Sequence, residues 1–399
     1  MKMNFRSWIV TALGAALLAS CGGGDPAVPG SGTPAGAPTT KGNFTRIVSF
    51  GDSLSDVGTY APVTSLTGNG LPPYAGGRFT TNFVTPTGTV VGTVWVENVA
   101  ATLGLHITPA LMGYGPNTIA CPSQDNTCTG YGEGGSRVTD PNGIGHSGGA
   151  LTVPVVTQIA NHLARFKSFN STDLIFIWAG NNDAFAQFAA FGAAAAQIQA
   201  DAAAGKITAD QANTELFQAQ TAGEQAMKQA AQDLVNDIQT QILANGGKYV
   251  VVITPLELTL TPFTAALLAN PATAPAAPVA TTFVDTFNLW LRNGLTGLPV
   301  ELIDANAALQ AIAANPAAYG LTNVTTPACD ANKINAIFTA AAGGSSLFCN
   351  ATPGAPYNTL AAGADPSTWL FADSVHPTTG GHKIFSSLIT QQLKAFGWI

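Results

Sequence analysis

The sequence predicts an α/β fold, in which a mainly parallel sheet carries helices on both of its faces. Short runs rich in Ile, Val and Phe alternate along the 399 residues with longer segments of helical periodicity. The apolar runs are nearly continuous rather than alternating, as in parallel strands that are covered on both sides. No second unit of this kind follows, so a single α/β domain is the better interpretation.

The predicted strands are rich in apolar, often β-branched residues and are bounded by turn residues, as buried strands are. They comprise residues 46–50, 173–178, 248–253 and 300–304. Helical patterns lie between these runs and at the end of the chain. The predicted helices comprise residues 95–103, 153–166, 283–291 and 381–396.

Two segments differ in composition from the rest of the domain. Residues 187–245 are rich in Ala and Gln, with apolar residues too sparse for a thick core stripe. We expect this insertion to form a helical hairpin that is broken near Gly205 and decorates the surface, a lid over the site being the alternative. Residues 262–281 are rich in Ala, Pro and Thr, and we expect them to form a loop.

The N-terminus has the pattern of an export signal. Lys2 and Arg6 accompany an apolar run at residues 8–18, which is too short to span a bilayer but suits the core of a signal peptide. The run leads into Leu-Ala-Ser-Cys, ending at Cys21, which resembles the bacterial lipobox, whose cysteine becomes the lipidated first residue. The alternative is an ordinary signal peptide with an incidental cysteine.

The predicted organisation has three parts. They are a lipoprotein signal peptide at residues 1–20, a lipidated Cys21 with a flexible Gly/Pro/Ser tether at residues 21–42, and a folded domain at residues 43–399. We expect a monomer that is lipid-anchored in the bacterial cell envelope, at the outer membrane or the cell surface. The formal net charge of −7 becomes −9 without the signal peptide, so the composition gives no basic footprint for nucleic acid.

Four further cysteines fall into two close pairs, and an even number in an exported chain favours disulfides. The local pairings Cys121–Cys128 and Cys329–Cys349 are the simplest of the possible connectivities. A zinc site is the competing interpretation, but the spacings match no common zinc finger and neither loop contains a histidine. We therefore expect disulfides and no metal.

The stretch RIVSFGDSLSDVG, at residues 46–58, places Ser53 directly after a predicted strand. Either Asp52 and Ser53 cap a following helix, or the turn displays Ser53 as a nucleophile. Serine is a weak nucleophile at neutral pH and needs a histidine base that a third group orients. The choice therefore depends on whether the chain supplies such a base.

Of the five histidines, His376 has the most suitable surroundings. It occurs in FADSVHPTTGGH, three residues after Asp373 and immediately before Pro377. The proline disfavours a helix that continues through His376, so we expect a compact turn in which the Asp373 carboxylate reaches the imidazole. One loop then supplies both the base and the group that orients it.

Together, the two segments resemble the GDSL, or SGNH, hydrolases, whose sequence blocks occur in this order. Members carry a serine in the first block, a glycine in the second, an asparagine in a G-x-N-D third block and D-x-x-H in the last. Gly-Asn-Asn-Asp at residues 180–183 matches the third block and places Asn182 at its asparagine. The second block, GYGEGGSR, departs from the family's N-[FY]-A-x-G-G: Gly130 replaces the asparagine, and Gly135 aligns with the functional glycine. The blocks bracket residues 46–385.

The resemblance implies an SGNH-hydrolase fold, a flavodoxin-like three-layer α/β/α sandwich. It implies that Ser53 is the nucleophile, that His376 is its general base and that Asp373 orients the base. The backbone N–H groups of Ser53 and Gly135 and the side chain of Asn182 are the implied oxyanion hole. Such donors suit ester hydrolysis, because positioned donors stabilise its tetrahedral oxyanion.

The implied function is that of a serine esterase, which hydrolyses lipid or short-chain carboxylic esters through an acyl-serine intermediate without metal or cofactor. The opening FGDSLSDVG resembles bacterial esterases, lipases and phospholipases A. An acyltransferase that uses the same residues is the nearest alternative, and a non-catalytic surface-binding lipoprotein is a more distant one. The G-x-G-x-x-G pattern at residues 130–135 lacks the following helix that dinucleotide binding requires.

Overall fold

The computed structural model describes residues 37–66, 76–83, 92–338, 344–354 and 358–399. These residues form an α/β/α sandwich with a parallel sheet between two helical layers, which confirms the predicted fold class. The predicted signal peptide, the lipobox cysteine and most of the tether lie outside the described residues. No helix in the described ranges combines the length and the apolar character needed to cross a membrane.

The described part of the chain contains a main sheet and a small hairpin. The strands are β1 (Arg46–Gly51), β2 (Leu111–Tyr114), β3 (Asn117–Ala120), β4 (Asp173–Trp178), β5 (Tyr249–Ile253) and β6 (Glu301–Ile303). The main sheet has the order β1–β4–β5–β6 and is parallel throughout, whereas β2 and β3 form the antiparallel hairpin. All four strands predicted from apolar runs are present, and each bound lies within one residue of its prediction.

The helices cover both faces of the main sheet. They are α1 (Ala61–Leu66), α2 (Trp95–Thr102), α3 (Val155–Phe166), α4 (Asn181–Ala203), α5 (Ala209–Asp237), α6 (Pro262–Ala269), α7 (Ala277–Leu295), α8 (Ala305–Ala314), α9 (Ala331–Phe338) and α10 (Thr379–Ala395). Residues of α3, α5 and α7 share one apolar core with the sheet, and residues of α2, α8 and α10 share the other. This arrangement gives the sandwich its three layers.

Successive side chains of β4 enter opposite layers of the core. Ile175 and Ile177 lie in the core that contains α5 and α7, whereas Phe176 and Trp178 lie in the core that contains α2 and α10. All six residues of β4 are buried. A strand with two covered faces needs apolar side chains on both, which accounts for the uninterrupted apolar run in the sequence.

A buried ion pair joins the first residues of β1 and β4. Arg46 lies opposite Asp173 in the register, and its Nε and Nη2 atoms donate to the two carboxylate oxygens at 2.9 and 2.6 Å. At the other end of the pair, Gly51 lies opposite Trp178. Both strands therefore end at the same edge of the sheet, where parallel α/β folds bind their ligands.

The glycine-rich second block lies along the free side of β1. Ser49 donates its N–H to the carbonyl oxygen of Thr129 at 2.9 Å, and Tyr131 donates its N–H to the carbonyl oxygen of Ser49 at 2.8 Å. Gly130, between them, forms an isolated parallel bridge with Ser49. The loop that follows, at residues 132–136, is thereby carried to the edge at which β1 ends.

The predicted helical hairpin is present, but its second helix does not decorate the surface. Gly205 lies in the turn between α4 and α5, with the left-handed φ of +70° that favours glycine. Along α5, Met227, Ala231 and Leu234 follow one another at spacings of four and three residues and are at most 1% exposed. This face packs on α7, and it is difficult to see in the sequence because small alanines make up much of it.

The prediction of a loop at residues 262–281 is wrong. Pro262 is the first residue of α6, and α7 begins at Ala277 with Pro278 in its first turn. Proline is tolerated in the first turn of a helix, because the N–H that it lacks would have no partner inside the helix. These prolines therefore mark the starts of helices rather than a loop.

Both predicted disulfides, Cys121–Cys128 and Cys329–Cys349, are present. The first closes the segment that leads into the glycine-rich block. The second joins the two sides of a segment that packs on the chain preceding His376: Cys329 donates its N–H to the carbonyl oxygen of Ala372 at 2.9 Å.

Replacing Leu234 by Ala tests whether α5 belongs to the core. We expect Leu234→Ala to lower the free energy of unfolding by about 2–5 kcal/mol, as for buried leucines elsewhere. Phe217, on the same helix, is 69% exposed, and Phe217→Ala is the matched control, with an expected change within about 0.5 kcal/mol. Urea unfolding followed by circular dichroism measures both; equal, small changes would contradict a core role for α5.

Candidate active site

Ser53 stands at the end of the strand that carries it. It is the first residue of a single 3₁₀ turn, Ser53–Ser55, and the carboxylate of Asp52 accepts the N–H of Leu54 at 3.0 Å. A Cβ on Gly51 would lie 2.1 Å from the carbonyl oxygen of Trp178. Glycine is therefore required where β1 turns away from β4, and no regular helix follows directly for Ser53 to cap.

The structure brings Ser53, His376 and Asp373 into one hydrogen-bonded row. The Oγ atom of Ser53 lies 2.8 Å from Nε2 of His376. On the other side of the ring, Nδ1 lies 2.9 and 2.8 Å from the two carboxylate oxygens of Asp373. The predicted compact turn before Pro377 is thus present, and it contains the acid and the imidazole in the required order.

Backbone N–H groups hold the Asp373 carboxylate in place. Its Oδ1 accepts from Val375 at 3.0 Å and from His376 at 2.8 Å, and its Oδ2 accepts from Ser346 at 2.8 Å. The donor of Ser346 comes from the segment that the Cys329–Cys349 disulfide closes. It carries no sequence signal, because any residue except proline offers the same N–H group.

The charges in this row stabilise each other. Burial by itself raises the pKa of Asp373, but the adjacent imidazole and the N–H donors outweigh burial and bring that pKa below its ordinary value. Burial lowers the pKa of His376, but the carboxylate of Asp373, helped by Asp52, raises it above its ordinary value. Asp373 therefore remains ionised while His376 gains a proton.

Two backbone donors at the site have no acceptor in the described part of the chain. The hydrogen bonds of these residues include none from the N–H groups of Ser53 and Gly135. Gly135 has a φ of +83°, and a Cβ there would lie 2.1 Å from the carbonyl oxygen of Ile144. The position thus requires glycine for both its conformation and its close packing.

The third predicted donor, Asn182, lies at the start of α4 and is tied to the glycine loop. Its Nδ2 donates to the carbonyl oxygen of Ser136 at 2.9 Å, which leaves a second amide hydrogen available. The neighbouring Asp183 accepts from Nε of Arg137 at 3.2 Å and from the N–H of Val138 at 3.1 Å. These contacts hold the first turn of α4 against the residues that follow Gly135.

Three residues after Ser53, Asp56 would be expected in the first turn of a helix. Instead, it follows the last residue of the 3₁₀ turn Ser53–Ser55. Its buried carboxylate accepts three N–H groups: Gly58 at 2.9 Å and Thr59 at 2.7 Å on Oδ1, and Gly134 at 2.9 Å on Oδ2. Burial raises its pKa to about 6, against the effect of these donors. Asp56 therefore joins the nucleophile turn to the glycine loop.

The departure of the second block from the family pattern has a steric explanation. A Cβ on Gly130 would lie 2.3 Å from Cγ2 of Val57 and 3.1 Å from the carbonyl oxygen of Thr108. An asparagine side chain does not fit there without rearrangement. Gly130 instead pairs closely with β1, and the loop reaches Gly135 without it.

Two other histidines, His162 and His382, are buried in the core and pack there. His382 is fully buried, and its Nδ1 accepts the N–H of Trp95 at 3.2 Å. His162 is also buried and stacks on Phe169, with ring centroids 4.4 Å apart. Burial lowers the pKa of both residues to about 3, so they remain neutral.

One candidate group of metal ligands lies in the described ranges, and it does not fit a metal ion. Cys121, Asp125 and Cys128 have ligand atoms close together, but the two sulfur atoms are bonded to each other in the disulfide. Thiolates bind metals, whereas disulfide sulfurs lack that charge. The row of Ser53, His376 and Asp373 has the arrangement of a nucleophile, a base and an acid that orients the base.

Comparison with known protein families identifies the family of the chain. Residues 47–389 match the model of the family described as GDSL-like Lipase/Acylhydrolase. The match covers most of the chain and extends from β1 to α10, so it includes Ser53, Gly135, Asn182, Asp373 and His376. No curated protein matches the chain significantly.

The pKa of His376 predicts the acid limb of the activity profile. A protonated imidazole cannot accept the proton of Ser53, so we expect kcat/KM for a soluble ester to fall as pH falls through this pKa. Because Asp373 raises the pKa above the ordinary 6.5, the limb is expected above pH 6.5. In Asp373→Asn the larger raising charge is gone while burial remains, so the pKa of His376 is expected to fall below its value in the parent protein.

The kinetic profile of the parent protein and NMR titration of the His376 ring in Asp373→Asn measure these two pKa values. Asp201→Asn, at the exposed end of α4, is the control and should leave the limb in place. A parent limb below pH 6.5, or an unchanged ring pKa in Asp373→Asn, would contradict the assignment.

Proposed function

Because the chain belongs to the GDSL-like lipase/acylhydrolase family, we propose that it is a serine esterase that cleaves carboxylic esters through an acyl-serine intermediate. Membership of this family supports acyl hydrolysis in general. The observation that carries the assignment of residues is the 2.8 Å contact between Ser53 Oγ and His376 Nε2, with Asp373 on the far side of the ring. Together these groups form a nucleophile with its base already in position.

The proposed reaction begins with attack of Ser53 Oγ on the ester carbonyl carbon, while His376 accepts the hydroxyl proton. The carbonyl oxygen becomes an oxyanion, which the N–H groups of Ser53 and Gly135 and the free amide hydrogen of Asn182 stabilise. His376 then donates its proton to the leaving alkoxy oxygen as the C–O bond breaks. Water attacks the acyl-serine by the same steps and releases the acid.

An aromatic cluster beside the site supports a substrate with a hydrocarbon chain. Phe263 packs edge-on against Phe185 and Phe188, with ring centroids 5.2 and 5.7 Å apart. Phe185 lies one helical turn after Asn182. Phe263 donates its N–H to the carbonyl oxygen of Ser374, in the turn that contains His376. The cluster thus borders both the proposed base and the proposed oxyanion donor.

The segment that carries Phe263 is uncharged. Residues 262–281 contain no charged side chain, and Leu268 on α6 is 57% exposed. Apolar surface at the mouth of a site stabilises an ester whose alkyl chain leaves water on binding. We therefore place the substrate among lipid-like esters of medium or long chain.

Replacing Ser53 by Ala tests the proposed mechanism. Loss of the nucleophile is expected to lower kcat by about 10⁴-fold or more for p-nitrophenyl esters. Ser55→Ala is the matched control: Ser55 lies in the same turn, its buried hydroxyl has no partner in the described residues, and its removal should leave kcat within a few-fold. Parent kcat/KM is expected to rise from acetate to decanoate.

The outcomes separate the proposals. Folded Ser53→Ala protein that retains most activity would refute the serine mechanism, and a preference for acetate would refute the lipid-like substrate alone. Adding glycerol as a competing acceptor and measuring free acid against new ester distinguishes hydrolysis from acyl transfer, since a predominance of new ester in water would identify an acyltransferase.

The proposed location rests on the leader rather than on the folded domain. We propose that Cys21 carries the lipid and that several acyl chains at this residue anchor the protein in the cell envelope, more firmly than one chain does. Full-length protein is expected to fractionate with membranes and to incorporate radioactive palmitate, and Cys21→Ser to lose the label. Protein that lacks residues 1–42 should be soluble and active; membrane binding by Cys21→Ser would refute the anchor.

A further inference from the structure

The Gly134–Gly135 peptide group is central to the proposed oxyanion hole. Its N–H belongs to Gly135 and has no acceptor in the described part of the chain, so it is free to meet a developing oxyanion. Its C=O belongs to Gly134 and, in a trans peptide, points away from the N–H. Whatever binds this carbonyl oxygen therefore also fixes the direction of the oxyanion donor.

Only a hydroxyl group binds this carbonyl within the described residues. The Oη atom of Tyr60 donates to the carbonyl oxygen of Gly134 at 2.8 Å. Tyr60 is 2% exposed, and its ring lies edge-on against Phe79, with centroids 6.0 Å apart. A buried, packed ring holds its hydroxyl in one place.

The peptide groups on either side are fixed by other partners. The N–H of Gly134 donates to Asp56 at 2.9 Å, which holds the preceding peptide. The carbonyl oxygen of Gly135 accepts the N–H of Ile144 at 2.9 Å, which holds the following one. The peptide between Gly134 and Gly135 is thus the one whose orientation depends on Tyr60.

This peptide is also the one that side chains restrain least. A peptide flip exchanges the directions of C=O and N–H by rotating ψ of the first residue and φ of the second, and glycine permits such rotations at little cost. A side chain at either position would restrict these rotations, but neither position has room for a Cβ. At Gly134 a Cβ would lie 2.3 Å from the ring of Phe79, and at Gly135 it would lie 2.1 Å from Ile144 oxygen.

We propose that the hydroxyl of Tyr60 is a positioning group for catalysis: it holds the Gly134–Gly135 peptide with its N–H toward the oxyanion and prevents a flip that would present the carbonyl oxygen instead. The inference rests on the proposed function, in which the N–H of Gly135 is an oxyanion donor. A hydrogen bond to the carbonyl also polarises the peptide and strengthens its N–H as a donor. Burial raises the pKa of Tyr60 well above its ordinary value, which keeps the hydroxyl protonated.

Tyr60→Phe tests this role, since it keeps the ring and removes only the donor. Complete loss of an oxyanion donor lowers kcat by about 10²–10³-fold. In Tyr60→Phe the N–H of Gly135 is still present but its direction is no longer fixed. We therefore expect kcat to fall by about tenfold or more, but by less than complete loss of the donor would cause. KM for a p-nitrophenyl ester should stay within about twofold. Tyr249→Phe is the matched control: Tyr249 is 3% exposed, its hydroxyl contacts Thr40 at the opposite end of the sheet, and its kcat should not change.

A trifluoromethyl ketone distinguishes positioning of the donor from a general structural role. Ser53 Oγ adds to the ketone carbon while His376 takes the hydroxyl proton, and the carbonyl oxygen becomes an oxyanion in the same hole as in the reaction. The inhibition constant of this ketone should rise in Tyr60→Phe by the same factor as kcat/KM falls. A fall in kcat with unchanged ketone affinity would overturn the inference, as would a rise in KM with kcat unchanged.

Two further outcomes separate this inference from the proposed function. Activity and ketone affinity of Tyr60→Phe within twofold of the parent, alongside an inactive Ser53→Ala, would overturn the role of Tyr60 and leave the esterase intact. Parent protein with no esterase activity would instead overturn the function. Should Tyr60→Phe fail to fold, Tyr60→4-aminophenylalanine retains a donor and should keep most of kcat, whereas Tyr60→4-methylphenylalanine has a similar shape without a donor and should lose it.

Discussion

The pairing of β1 with β4 is the constraint on which the rest of the site depends. Gly51 and Trp178 end the two strands side by side, so the turn that carries Ser53 and the helix that begins near Asn182 leave the sheet together. At Gly51 the two backbones are so close that a Cβ would lie 2.1 Å from the carbonyl oxygen of Trp178. The proposed nucleophile and the proposed donor, 129 positions apart in the chain, are carried to the same edge of the sheet by six parallel residue pairs.

The loops at this edge are organised by buried acids that bind backbone N–H groups. Asp56 binds three such groups, Glu133 binds that of Val153 at 2.9 Å, and Asp52 binds that of Leu54. Burial raises the pKa of Glu133 to about 8 and that of Asp52 to about 7. Burying carboxyl groups is unfavourable unless they are hydrogen-bonded, so these acids favour the one loop arrangement that supplies their donors. Their contribution is to order the backbone before the substrate arrives.

The parts of the fold and site that depend on neighbours in sequence were predictable, and those that depend on distant contacts were not. Continuous apolar runs gave the strands, and Asp373 lies close enough to His376 in the chain for one turn to join them. The binding of Asp56 to Gly134 joins positions 78 residues apart, and the donor of Ser346 is a backbone group without a side-chain signature. The core face of α5 was not predictable because much of it is alanine, a small residue that adds little to a hydrophobic pattern and buries useful area only against a close partner. Likewise, proline disrupts the interior of a helix but is favoured in its first turn, and the sequence of α6 alone does not show which of the two applies.

The helix α4 has a mechanical consequence. It is 23 residues long, so about 34 Å of rigid rod separates its first turn, which holds Asn182, from the solvent-exposed bend at Gly205. The bend lies outside the packed core, and Gly205 has no atoms near the position of a Cβ. Residues inserted at this bend would lie outside the packed core and at the far end of α4 from the candidate site. The bend is thus a position at which the chain can be lengthened without disturbing the sheet edge that carries the candidate site.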